Sequence, residues 1–221
     1  MLLFGLEEIS NALTRNASAT ARRLVNRNSL TVNTFQGRNG SVAVSIILAG
    51  PADNLSICMI RRASFETDVW SGHVALPGGR AHPEETSAAQ VAERETREEV
   101  GLEIGEHQRK GFLPDISIRL AGRDRGMTLS AVVYFIGEDL PPLHSSEEVE
   151  EAFWAPLSHL WDAANGTSLT LSDKPDVMVY PAIRVGSHIV WGVTLRVLML
   201  FSDIIGHPLP HFEEIPGLRV K

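Results

Sequence analysis

A second cysteine is missing from this chain of 221 residues. Cys58 stands alone, so no internal disulfide can form, and its apolar neighbours in LSICMI mark it as a buried thiol of a reducing compartment. A long apolar run is missing as well, since no stretch approaches the ~20 residues that a bilayer-crossing helix needs. The opening MLLFGLEEIS carries an apolar run too short for a secretory signal. Without such a signal, Asn-x-Ser/Thr triplets such as Asn54-Leu55-Ser56 carry little weight. Positive charge is not in excess. The formal net charge of −7 argues against nucleic-acid polymers and anionic membranes as partners, while leaving room for a local basic pocket that holds a phosphorylated small molecule. Repeats, low-complexity tracts and linkers are all absent. One domain over residues 1–221 is therefore expected, with a helical extension over 1–30 and an irregular tail over 207–221. Arg15, Arg22, Arg23 and Arg27 give the N-terminal stretch a partial likeness to a transit peptide, but Glu7 and Glu8 break the acid-poor signature. A cytoplasmic location is expected, with an organellar address left open.

What is present is an ordinary globular balance, 43% hydrophobic and 21% charged, which is enough for a substantial core. Leu6, Ile9 and Leu13 predict an amphipathic helix over 5–25. SVAVSIILA (41–49) and LSICMIRR (55–62) read as strands around the turn-rich GPADN, and TLSAVVYFI (128–136) and EAFWA (151–155) as later strands. VYPAIRV and HIVWG form a predicted hairpin around Gly186-Ser187, and the stretch from Val193 to Ile205 a closing helix. Many strands with few helices point to an α/β fold, a mixed sheet covered by helices.

The helix over 88–100 is the best signalled element. Ser87 with Gln90 fits a capping box, and Gly101 suits the position just past the C-terminus. Ala88, Val91 and Ala92 then share a face with Glu95, Glu98 and Glu99. A solvated stripe would explain Glu93 beside Arg97, or Arg94 beside Glu98, as weak surface pairs. It does not explain carboxylates gathered on the core side, where repulsion and desolvation both count against them. A hard divalent cation, Mg²⁺ or Mn²⁺, would relieve that cost and bridge the carboxylates to substrate phosphates.

The same stretch resembles a Nudix box, G-x5-E-x7-R-E-U-x-E-E-x-G-U with U apolar. Here Gly79 is followed after five residues by Glu85 and after eight more by Arg94-Glu95-Thr96-Arg97-Glu98-Glu99-Val100-Gly101-Leu102. One extra residue precedes Arg94, so either Glu84 or Glu85 can fill the early glutamate role, and Thr96 takes the first apolar position. WSGHVALPGG, EEVEEAFWAPL and WGVTLRVLMLF look like segments of the branch related to coenzyme A diphosphatases. Arg62-Ala63 and Gly72-x3-Leu76-Pro77-Gly78-Gly79 match that branch's signature in part. The loop is one residue longer, Glu66 to Asp68 stand near the place of its second arginine, and Leu76 replaces a phenylalanine.

The resemblance implies a Nudix fold, a mixed β-sheet sandwiched between α-helices, and metal-dependent hydrolysis of a diphosphate linked to another moiety. By that resemblance Glu95, Glu98 and Glu99 would hold Mg²⁺ or Mn²⁺ with the carbonyl of Gly79, and Glu98 or Glu95 is a candidate to take a proton from water. Arg94 would orient a neighbouring glutamate, and Glu85 would support the loop–helix geometry. Among the acids of HSSEEVEE, Glu148 is preferred over Glu147, Glu150 and Glu151 as an additional catalytic acid. Arg62, and less specifically Arg61 and His73, are candidates to bind substrate; Arg119, Arg123, Arg125 and Trp70 fit surface or packing roles better. Coenzyme A or an acyl-CoA is the first substrate expected, with nucleotide sugars, dinucleotides and nucleoside triphosphates as alternatives. A non-catalytic nucleotide-binding module is the alternative from another class. The partner expected is a small diphosphate, with a homodimer left open.

Overall fold

The computed structural model describes residues 41–64, 71–118, 126–171 and 178–210, preceded by 7, 9–13, 15 and 35. Its centre is β1 (Ser41–Ala49), an aliphatic strand buried along most of its length. Such a strand must be covered on both faces, and its alternation divides the covering. Ile46 and Leu48 join one apolar cluster, while Ala43 and Ile47 face the opposite side.

β1 pairs in parallel with β7 (Met127–Phe135), from Ser41↔Thr128 to Leu48↔Phe135. Its other side receives β2 (Ser56–Arg62) and, further along, β4 (Gly78–Arg80), both antiparallel. β3 (Val74–Ala75) and β8 (Val149–Pro156) pair with β2, and β5 (Arg109–Phe112) and β6 (Ile116–Ile118) with β7. The sheet is mixed, as expected. A separate three-stranded sheet follows, in the order β11-β10-β9, from β9 (Gly166–Leu171), β10 (Met178–Val185) and β11 (His188–Trp191).

Helices cover both faces of the main sheet. α1 (Ala88–Val100) lays Ala88, Val91 and Ala92 over Ala43, Val132 and Tyr134. α2 (Gly192–Ile204) lies on the other face, with Leu195, Leu198 and Phe201 in the larger cluster that also holds Ile9 and Leu13. The described residues between 7 and 15 are helical, in line with the expected N-terminal helix; its continuation to residue 25 lies outside the described residues. No helix among the described residues is long and apolar enough to cross a membrane.

The strands and hairpin foreseen at 41–49, 55–62, 128–136, 151–155 and around Gly186-Ser187 are present to within a few residues. β5, β6 and β9 were not foreseen. RKGF and ISI are short and GTSLTL is largely exposed, so each takes its extended form from a neighbouring strand rather than from its own pattern.

Candidate active site

The PGG turn leads straight into β4, which docks on β1 with Gly78 opposite Val44. No side chain fits at Gly78, because a Cβ there would stand 2.3 Å from the carbonyl oxygen of Ala43. The close approach frees the Gly78 amide to point at α1, where it donates to Glu99 Oε2 at 2.8 Å. Gly79 is bare for a different reason: a Cβ would fall 2.1 Å from Glu95 Oε1. Two adjacent glycines thus bring loop backbone against two carboxylates one helical turn apart.

Local chemistry fixes α1 in turn. The Ser87 hydroxyl accepts from the Gln90 amide and Gln90 Oε1 accepts from the Ser87 amide, both at 3.2 Å, completing the expected capping box. Gly101 ends the helix with φ 71°, a left-handed conformation open to glycine at little cost.

Arg94 organises the acidic side. Its Nε donates to Glu85 Oε1 at 2.9 Å, Nη1 to Glu95 Oε1 at 2.8 Å and Glu98 Oε2 at 2.9 Å, and Nη2 to the Arg80 carbonyl at 3.0 Å. Glu85 is buried and also accepts from the His82 amide at 2.6 Å, whereas Glu84 is exposed. Of the two adjacent glutamates it is therefore Glu85 that meets Arg94. Burial works against ionising Glu85, but Arg94 and the His82 amide outweigh it and hold the carboxyl below its ordinary value. Glu85, above all, keeps Arg94 protonated.

The expectation that all three later glutamates interrupt the core face needs correcting. Glu99 is buried and Glu95 half-buried, but the Glu98 side chain is 52% exposed. At ~100° per residue the buried arc centres between Ala92 and Thr96, which leaves Glu98 at its margin. Burial pushes the Glu99 carboxyl up to about 8, helped by the charges of Glu95 and Glu148 and opposed by the Gly78 amide and Arg62. Burial also raises Glu95, against the pull of Arg94.

A cleft of about 420 Å³ opens beside these groups. Glu95, Glu99, Gly79, Arg62, His73 and Glu148 all line it, although they come from four separate stretches of chain. Glu98, Arg94 and Glu85 do not line it, and Arg94 joins Glu85 and Glu98 to Glu95 by hydrogen bonds. Glu148 reaches the cleft because its carbonyl accepts from the Ala63 amide at 2.9 Å, fastening its loop to the end of β2. Its neighbours are engaged elsewhere: Glu150 pairs with Arg61, and Glu151 lies 3.5 Å from His188. Arg119, Arg123, Arg125 and Trp70 fall outside the described residues.

The far wall went unforeseen. Ile118, Met127 and Leu129 of β6 and β7, with Trp191, Thr194 and Val197 around the start of α2, make it largely apolar. The signal available was WG directly before an apolar helix, which marks a chain reversal but not the cavity beneath it.

Among the described residues, no three His, Cys, Asp or Glu side chains converge closely enough to enclose a metal ion. The donors nevertheless suit a hard divalent cation in kind. They are all oxygen, two of them are carboxylates that burial raises above their ordinary value and whose ionised form a cation would stabilise, and the missing Cβ of Gly79 leaves the space in which Glu95 meets the loop.

The NUDIX domain model matches residues 40–171, which spans the whole of this arrangement except the α2 wall. The chain belongs to the Nudix family. Mitochondrial coenzyme A diphosphatase NUDT8 of Homo sapiens is 31% identical over 189 residues, covering 83% of this chain and 77% of that one. The Mus musculus protein of the same name is 29% identical over 184 residues, covering 78% and 83%. The fold is shared with a solved MutT/nudix family protein from Enterococcus faecalis, with a TM-score of 0.53 and 22% identity over 93% of this chain and 76% of that one. Both the Nudix fold and the hydrolase class foreseen for this chain thus stand.

Proposed function

We propose that this Nudix hydrolase cleaves the diphosphate of coenzyme A or an acyl-CoA. The observation that carries the proposal is the shared cleft: Glu95, Glu99 and Gly79 meet Arg62 and Glu148 in one cavity with room for a diphosphate. The names of the human and mouse relatives favour coenzyme A as the first substrate.

Glu95, Glu98, Glu99 and the Gly79 carbonyl would hold Mg²⁺ or Mn²⁺, which when bound supplies neutralisation of the phosphoryl oxygens and a more acidic water. Arg94 keeps Glu95 and Glu98 in place through its fork and anchors them to Glu85. Arg62, whose amide donates to the His73 carbonyl at 3.1 Å, lines the same cleft and would meet the anionic substrate there. Glu148 takes the proton as water attacks phosphorus. The anhydride P–O bond breaks, and the charge leaves on the departing phosphate. The general-base role of Glu148 is supported by its position on the cleft wall and by its electrostatic coupling to Glu95 and Glu99.

One Nudix domain over 1–221, acting on a small molecule as monomer or homodimer, is part of the proposal. So is a cytoplasmic location; the mitochondrial names of both relatives favour the organellar alternative, and imaging the tagged full chain decides between them.

The test is a panel of diphosphates offered to the purified full chain with Mg²⁺ or Mn²⁺. Coenzyme A should yield 3′,5′-ADP and 4′-phosphopantetheine at the highest kcat/KM. Preference for nucleotide sugars, dinucleotides or nucleoside triphosphates would remove the substrate assignment. Tight binding of a nucleotide with no turnover would favour a binding module instead.

A further inference from the structure

Beneath the acidic face of α1 lies a buried polar contact that the diphosphatase proposal does not use. Ser45 and Thr96 are both fully buried, and their hydroxyl oxygens stand 2.8 Å apart. Ser45 Oγ also donates to the Ala92 carbonyl at 3.1 Å. A serine hydroxyl has one proton, so with that proton on Ala92 the proton between the two hydroxyls comes from Thr96. The Ser45 amide, on the same residue of β1, donates to the Pro77 carbonyl at 2.8 Å. Ser45 therefore ties down both parts of the site: the turn that carries Gly78 and Gly79, and the helix that carries Glu95, Glu98 and Glu99. The Gly78–Glu99 hydrogen bond closes the triangle.

Packing alone would hold this helix loosely in rotation. Its apolar contacts with the sheet, among them Ala88, Val91, Ala92 and Val100, are small or nondirectional, whereas the buried hydroxyl pair, like the Tyr134 hydroxyl that donates to Glu93 Oε1 at 3.2 Å, adds a hydrogen bond with one good geometry. Thr96 lies directly after Glu95 and two residues before Glu98, so any roll of the helix at Thr96 swings the carboxylates. Functional groups need holding to within roughly 0.5 Å and 10–20°. The contact also breaks the chain's own pattern, since a buried hydroxyl pair takes a place where an apolar pair would pack without needing partners.

We infer that Ser45 and Thr96 are positioning residues that set the rotation of α1 against the PGG turn and so hold Glu95, Glu98 and Glu99 in register for the cation; the inference rests on the diphosphatase proposal. Thr96→Val keeps the volume and removes the hydroxyl, and Ser45→Ala removes the other partner. Each variant is compared with wild type by thermal melting, by direct Mn²⁺ titration without substrate, and by kcat and KM on the best diphosphate. Thr96→Val should melt near wild type, bind Mn²⁺ more weakly and lose kcat on the order of tenfold with KM little changed. Thr96→Ser should restore both, and the Ser45→Ala/Thr96→Val double variant should lose no more than the worse single one. Wild-type Mn²⁺ affinity and kcat in both single variants would overturn the inference and leave the diphosphatase proposal standing. Losses that track melting temperature alone, with no rescue by Thr96→Ser, would also overturn it. A wild-type protein that binds no Mn²⁺ and cleaves nothing in the panel would overturn both.

Discussion

At Gly79 the α-carbon packs so closely against the Glu95 carboxylate that a single methyl group would displace it. The obstructing atom is the end of a flexible side chain, so the carboxylate and not the backbone should yield. Gly79→Ala is therefore expected to fold and melt nearly as wild type while losing hydrolysis on the order of 10²-fold, as a misplaced catalytic group does; parallel melting and kinetics check this. Glu99 gives a pH prediction. Its carboxyl lies at about 8 in the fold against an ordinary 4.5, so folding favours the protonated form. That contribution is complete below the ordinary value and is lost as pH rises through about 8. The metal-free protein should melt at progressively lower temperature across this window, and Glu99→Gln should flatten the slope. Added Mg²⁺ should stabilise more at the upper end, where the carboxylate is cheaper to form. A metal-free profile that matches Glu99→Gln would contradict the assignment.

Helix α1 was legible because its signals are local. The capping box, the 3.6-residue spacing and the terminal glycine all act within a turn of the residues that carry them. Ser87→Ala should cost about 1 kcal/mol by denaturant titration. Glu98 was the part misjudged, since a helical wheel shows which residues share a side but not where the buried arc ends; that edge is drawn by β1 and β7. β5, β6 and β9 were illegible for the related reason that a short strand is made by its partner. β4 combines both effects. Proline and paired glycines favour a turn, but the pairing of this segment with β1 rests on the space that Gly78 leaves beside Ala43. Gly78→Ala meets backbone there and should destabilise the protein by several degrees of melting temperature, in contrast to its neighbour Gly79.

Across the whole molecule, the acidic wall of the cleft was written in one continuous stretch and could be found from spacing. The rest is assembled by topology. Arg62 ends β2, Glu148 precedes β8, His73 precedes β3, and the apolar wall comes from β6, β7 and the start of α2. No local pattern marks residues so far apart as neighbours, which is why the reaction class was clear from the chain before the substrate was. On the proposed function, this cleft hydrolyses a diphosphate through a cation held by α1. That function is tested most directly by following coenzyme A cleavage by wild type and Glu98→Gln, each with and without Mn²⁺. Wild type should release 3′,5′-ADP only with the cation, and Glu98→Gln, folded by its melting profile, should be slower by on the order of 10²-fold. Equal rates in the two proteins, or cleavage indifferent to the cation, would contradict the account.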